Sequence, residues 1–262
     1  MLKTAAAGPS ARADLGGLVW TLVRTDFKTR YHGTLGGFVW ALLKPLAMFV
    51  VLWAVFSLVF ASNPNYKLDL IIGLFLWDFF AEATRAGIGS LSAKGFLLTK
   101  ARFPSWILVV TSASNALITL AVFATALVGL LALRGAVPAP AAVALFAWYL
   151  VQYFLMVTGF SLASSVLFLR YRDLNQVWDL VVQAGFFVAP IIYPLTIIPE
   201  RYHVYLYLWP PTPVIQFARA VLVDGTVPTA RAHAALALMT AFILLAGVAV
   251  FRRYTPRAAE YL

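Results

Sequence analysis

Six stretches of this chain are apolar for roughly 20 residues or more, the length a helix needs to cross the ~30 Å hydrocarbon of a bilayer. They cover residues 37–60, 70–89, 105–133, 139–169, 174–193 and 229–251. Lipid offers no hydrogen bonds to a bare backbone, so stretches of this kind fold as helices and cannot form an open sheet. The fold class expected is an all-α integral membrane protein with six transmembrane helices. The fourth stretch is long enough to tilt or to extend past the bilayer. The fifth is interrupted near its start by Asn175, Gln176 and Asp179.

Composition agrees: 62% hydrophobic residues, 11% charged residues and a mean hydropathy of +0.86 exceed what one soluble core of 262 residues can hide. The net charge of +10 would suggest nucleic acid in a soluble protein. Here the basic residues fall at the ends of apolar runs, so anionic membrane surface is their expected partner and nucleic acid is not. With no cysteine, disulfides, thiolate metal sites and cysteine nucleophiles are excluded. Residues 1–14 lack an apolar core followed by a small-residue cleavage site, so no cleaved leader is expected.

Six spans put both termini on one side. Thirteen lysines and arginines then fall on the side of the termini, among them Arg24, Lys28, Arg30, Lys94, Arg170, Arg252 and Arg253, against five, including Lys67 and Arg219, on the other. This asymmetry predicts cytoplasmic termini. Ahead of the first span, over 14–33, Leu15, Leu18, Val19 and Leu22 recur at helical spacing. That segment is an amphipathic helix lying on the inner leaflet or packed on another part of the protein.

No G-x-x-x-x-G-K-[ST] loop occurs, so any ATP-driven work requires a separate subunit and no cofactor is expected in this chain. There is no H-E-x-x-H motif, and the serines between 161 and 165 read as small residues for close helix packing. Neither catalytic nor metal-binding residues are expected. The exception to apolar monotony is Asp78, Glu82 and Arg85, which share one face of the second span. They either line a hydrated path or neutralise one another, mainly Glu82 with Arg85, to hold helices together.

Aromatic residues are in excess. Trp40, Phe49, Trp53 and Phe56 lie on the first span, and Trp178, Phe186, Phe187 and Tyr193 on the fifth. In a conduit such rings let a sugar chain stack and slide; the alternative is lipid-facing or core packing. Between the last two spans, prolines punctuate 194–223, which carries Tyr202, Tyr205, Tyr207 and Trp209. Short helices and turns are predicted there, serving as an external gate or as an interfacial aromatic belt. The loop 90–104 mixes Lys94, Phe96, Leu97, Leu98, Lys100, Arg102 and Phe103, suiting a docking helix for a soluble partner or an amphipathic connector.

The order of RYHGTLGGFVWALLKP (30–45), WDFFAEA (77–83), KGFLLTKARFP (94–104), LRYRDL (169–174), FFVAPIIYP (186–194) and FRRYTPRAAEYL (251–262) resembles the permease subunits of bacterial polysaccharide ABC exporters of the ABC-2 type, over nearly the whole chain. LWPPTP (208–213) departs from that pattern, in which asparagine is common before the proline. The resemblance implies a single transmembrane domain over 1–262 in the inner membrane. Its partners would be a second copy of the chain and two nucleotide-binding ATPase subunits that hold ATP and magnesium. It implies a polyprenyl-pyrophosphate-linked glycan as substrate, the first and fifth spans around its path, 90–104 against the ATPase and 194–223 as the external gate. Arg24, Lys28 and Arg30 would help recruit the pyrophosphate at the inner mouth. A permease for a drug or simple lipid, or an enzyme using Asp78 and Glu82 on a lipid-linked sugar, are the competing readings.

Overall fold

The computed structural model describes residues 15–31, 33, 36–97, 103–133 and 138–258, and among them the secondary structure is entirely helical. Helix α1 covers Leu15–Tyr31, α2 Val39–Phe56, α3 Tyr66–Lys94, α4 Trp106–Ser112, α5 Ser114–Leu133 and α6 Pro140–Arg170. Then come α7 at Leu174–Val188, two short 3₁₀ turns, α8 at His203–Tyr207, α9 at Pro211–Leu222 and α10 at Ala230–Ala258. Four stretches are long and apolar enough to cross a membrane: α2, α4 with α5, α6, and α10 to Pro256.

Helix α3 contains the expected span 70–89 but runs longer, and it is the hub of the bundle. Seventeen of its 29 residues are buried, and α2, α4, α5, α6, α7 and α9 all pack on it. The face it leaves open holds Asp78, Glu82, Arg85 and Gly89. Small residues set how closely neighbours approach: Gly87 of α3 faces Ser161 of α6. At the opposite wall Phe75 stacks on Phe123 of α5, with ring centroids 3.7 Å apart. Helix α10 leans almost wholly on α6. There Gly159 meets Gly247, and a methyl group on Gly159 would come within 2.6 Å of the Ile243 carbonyl oxygen and Leu244 Cα.

Two further departures from the sequence expectation have a local reason. The third span is broken at Ala113, where Thr111 Oγ1 donates to the Ile107 carbonyl at 2.8 Å and Ser112 Oγ to that of Val109 at 2.6 Å. Such back-bonding competes with the helical ladder and bends it. The fifth helix stops at Val188, because Pro190 forces Ala189 into an extended conformation, φ −69° and ψ 130°. Fifteen residues at 1.5 Å each span about 22 Å, less than the hydrocarbon thickness. The chain continues from α7 as irregular backbone, with Ala189, Ile191 and Ile192 buried.

That irregular backbone is held by the protein. Arg219 of α9, 6% exposed, donates from Nε and Nη2 to the Asp69 carbonyl at 2.9 and 2.7 Å, from Nη1 to Pro190 at 2.7 Å and from Nη2 to Ile191 at 2.9 Å. Tyr66 adds a hydroxyl bond to the Ile192 carbonyl at 2.9 Å. Arg219 was expected among the exposed topological charges; it is instead a buried staple joining α3, α9 and the turn after α7. Gly73 makes room for it, since a Cβ there would lie 2.8 Å from Nη2.

Candidate functional site

A cleft of about 700 Å³ opens between α2 and α7, with α3 as its back wall. Its two ends differ in chemistry. Towards the N-terminus of α2 and of α7 it is lined by Lys44, Asp78, Arg85 and Asp179; towards their C-termini by Met48, Val51, Leu74, Trp77, Phe186 and Phe187. Two further cavities adjoin the charged end, of about 500 Å³ with Glu82, Gly89 and Asn175, and about 200 Å³ with Tyr31 and Trp40. Lys44 and Asp78 line all three spaces.

Three ion pairs cross the charged end, each linking α3 to a different helix. Glu82 pairs with Arg30 of α1, Asp78 lies 4.0 Å from Lys44 of α2, and Arg85 Nε donates to Asp179 of α7 at 2.6 Å. The expected pairing of Glu82 with Arg85 does not form. Both side chains reach across to neighbouring helices, where their partners lie too far along the sequence for spacing to reveal. A fourth pair, Lys94 with Asp26, ties the end of α3 to α1. Helix α1 is thus pinned to α3 by two ionic contacts about three turns apart along α3.

The other end of the cleft is aromatic. Trp77 meets Phe186 at 5.8 Å and Trp209 at 6.4 Å, and Phe186 meets Phe187 edge-on at 5.4 Å. Trp209 sits over Gly185, where a Cβ would lie 2.5 Å from the indole. Close approach of the ring to α7 therefore requires glycine.

The eight aromatics expected around a path divide by position. Phe186 and Phe187 line the cleft and Trp40 its smallest side cavity. Phe49, Trp53 and Phe56 pack on the core instead, with Lys67 4.4 Å above the Trp53 ring and Phe56 stacked on Phe60. Trp178 lies 4.1 Å from Phe160 and donates Nε1–H to Thr84 at 2.9 Å, locking α7 to α3. The Tyr193 hydroxyl bonds back to the Phe187 carbonyl at 3.0 Å. Trp77 lines the cleft without having been singled out; its place on the face neighbouring Asp78 was the available signal.

Of the basic residues before α2, Arg24 and Lys28 are exposed on α1 while Arg30 turns to Glu82. Leu22 packs on an apolar cluster with Leu91, Leu108, Leu162 and Phe251, whereas Leu15 and Trp20 are exposed, so α1 both docks on the bundle and presents an apolar surface. In the loop after α3, Leu97 and Phe103 pack on the same cluster and Phe96 is 58% exposed. Leu98, Lys100 and Arg102 lie outside the described residues. In the proline-rich segment Tyr202 and Tyr205 face outward, while Tyr207 and Trp209 turn towards the core.

A bundle built around a charged central helix, with four stretches long and apolar enough to cross a membrane, has the make-up of an integral membrane protein. The chain belongs to the ABC-2 type transporter family, whose profile matches residues 17–223. Over 258 residues it is 28% identical to the O-antigen export system permease protein RfbA of Myxococcus xanthus, covering 93% of this chain and 95% of that protein. A protein of the same name from Klebsiella pneumoniae is 26% identical over 247 residues, covering 94% and 95%. The polysialic acid transport protein KpsM of Escherichia coli is 21% identical over 255 residues, covering 89% and 92%.

Proposed function

We propose that this chain is the membrane-spanning subunit of an ATP-driven exporter that moves a polyprenyl-pyrophosphate-linked polysaccharide, of O-antigen, capsule or teichoic acid type, out of the cytoplasm across the bacterial inner membrane. The observation that carries this reading is the two-ended cleft: aromatic rings in sequence along one end, charges of both signs at the other. Rings give a sugar chain broad surfaces to slide over without a fixed register. A charged mouth suits the anionic linkage between glycan and lipid. The names of the relatives point the same way.

In this reading α2, α3, α4 with α5, α6, α7 with its following turn, and α10 make six crossings, with both termini cytoplasmic. Helix α1 lies at the inner leaflet, where Arg24 and Lys28 meet headgroups. The subunit works as a pair of copies, with the long apolar and little-buried surface of α2 beside α7 available to the second copy. Two ATPase subunits supply ATP and magnesium chemistry. They dock at 90–104, with exposed Phe96 as a contact.

Movement there reaches the cleft by a short route. Lys94 is tied to Asp26, and four residues further along α1 Arg30 is tied to Glu82 at the cleft floor. The segment 194–223 forms the external gate, closed over the aromatic end by Trp209. Deleting the gene in its native host tests the reading: surface polysaccharide should disappear while lipid-linked polymer accumulates inside, both restored by the intact gene. Drug sensitivity with normal surface polysaccharide would overturn it.

A further inference from the structure

The charges at the cleft floor are balanced; the three cations and Asp179 are well exposed, while Asp78 and Glu82 are the more buried partners. Three cations, Arg30, Lys44 and Arg85, face three carboxylates, Glu82, Asp78 and Asp179. The Lys44 side chain is 80% exposed and stands 4.0 Å from Asp78, at the limit of ionic contact. Arg85 and Asp179 are each nearly half exposed on the cleft, although their contact is short. Helix packing in a membrane needs small residues and close backbones, which α3 already has at Gly87. Charges within a membrane-spanning bundle are costly, so they turn to one another or to a water-filled cavity, where they mark the path of a polar or charged cargo.

We propose that Lys44 and Arg85 form the binding site for a diphosphate group, and that Asp78 and Asp179 are built-in counter-ions which the diphosphate displaces on arrival and which expel it on departure. The proposal rests on the export reading and deepens it, moving the anion site from the exposed α1 residues to the cleft floor. A guanidinium offers a planar fork of donors to phosphate oxygens and an ammonium a compact point charge, so the pair suits a group with several anionic oxygens. Binding is then an exchange: two internal ion pairs open, two ligand contacts form, and two carboxylates are left beside a bound anion. Their repulsion weakens retention, as a carrier that must release its cargo requires. Arg30 keeps its own partner in Glu82 throughout, so α1 stays attached to α3.

Exchange predicts an effect of opposite sign to that of a plain basic patch: removing an acid tightens binding. The test uses the full permease with its ATPase partner in phosphatidylcholine nanodiscs, titrated with a fluorescent short-chain polyprenyl diphosphate, inorganic pyrophosphate and the corresponding polyprenol. Asp78→Asn and Asp179→Asn are each expected to lower Kd for the diphosphate lipid about tenfold, and Lys44→Gln and Arg85→Gln to raise it about tenfold. Lys44→Arg, which keeps the charge, should bind within about threefold of the parent, and thermal midpoints should confirm that each variant is folded. Binding of inorganic pyrophosphate as tight as that of the lipid would assign the site to a free anion; tighter binding of the lipid assigns it to a lipid headgroup.

If folded Asp78→Asn and Asp179→Asn bind as the parent does or more weakly, or Lys44→Gln and Arg85→Gln bind as the parent does, the exchange site is wrong while the export reading stands. If the parent itself binds no polyprenyl diphosphate, the export reading fails.

Discussion

Replacing Arg219 by methionine, which keeps the apolar stem of the side chain and removes its donors, should destabilise the protein more than any exposed-charge substitution. In the folded chain four hydrogen bonds of 2.7–2.9 Å run from its guanidinium to the carbonyls of Asp69, Pro190 and Ile191. Asp69 lies within α3 and retains its helical donor. Pro190 and Ile191 follow the end of α7 and have no other donor among the described residues, apart from a long 3.5 Å contact from Gln216 to Pro190. Two buried acceptors would lose their donor at roughly 1–3 kcal/mol each, partly offset because an arginine no longer has to leave water, giving a net loss of about 3 kcal/mol. At ~2–4 °C per kcal/mol for a chain of this size, the thermal midpoint of the detergent-purified complex should fall by about 6–12 °C. Arg219→Lys, able to reach fewer carbonyls, should lose about half as much, and Gly73→Ala, which crowds Nη2, should lower the midpoint in the same direction. A drop below about 3 °C for Arg219→Met would refute the staple.

Three further outcomes follow from contacts at other helix pairs. Gly247→Leu forces α10 off Gly159 and should cost at least ~1–3 kcal/mol, read as a lower thermal midpoint and as loss of engineered disulfide cross-linking between α6 and α10. Trp178→Phe and Thr84→Val should each cost about 1 kcal/mol and together little more, because the Trp178–Thr84 bond is lost in all three variants and the second bond of Thr84 goes to the Phe80 carbonyl, an acceptor inside α3. Asp26→Asn releases Lys94 and loosens the connection from 90–104 to α1, so polymer export per ATP hydrolysed should fall several-fold while ATPase turnover persists.

Length and apolarity made the membrane helices legible where local signals set their ends: α6 begins at Pro140, a residue suited to a first helical turn, and ends at Arg170, within a residue of the expected 139–169. The least legible helices were those with polar work to do. Helix α3 runs beyond 70–89 because protein, and not lipid, surrounds it at both ends, so Tyr66 and Lys94 find partners in Ile192 and Asp26. Helix α7 stops early at a proline whose effect lies one residue upstream of it.

At the site, the sequence displayed the three charges of α3 on one face, because their spacing is local. Their partners Arg30, Lys44 and Asp179 come from three other helices, and no spacing rule connects them. Arg219 was illegible for a deeper reason: its partners are backbone carbonyls, which carry no residue identity. The aromatic stripe Phe49, Trp53 and Phe56 had the right periodicity for a lining face and turned to the core, since periodicity gives a common face and not what that face meets.

Carriage of a lipid-linked glycan across the bilayer by this chain can be measured by reconstituting it with its ATPase partner in sealed vesicles loaded with lipid-linked polysaccharide on the side bearing the ATPase. Polymer should reach the opposite side only with ATP and magnesium, at a rate reduced by Phe186→Ala and Phe187→Ala at the aromatic end of the cleft. ATP hydrolysis at full rate with no polymer crossing would contradict it.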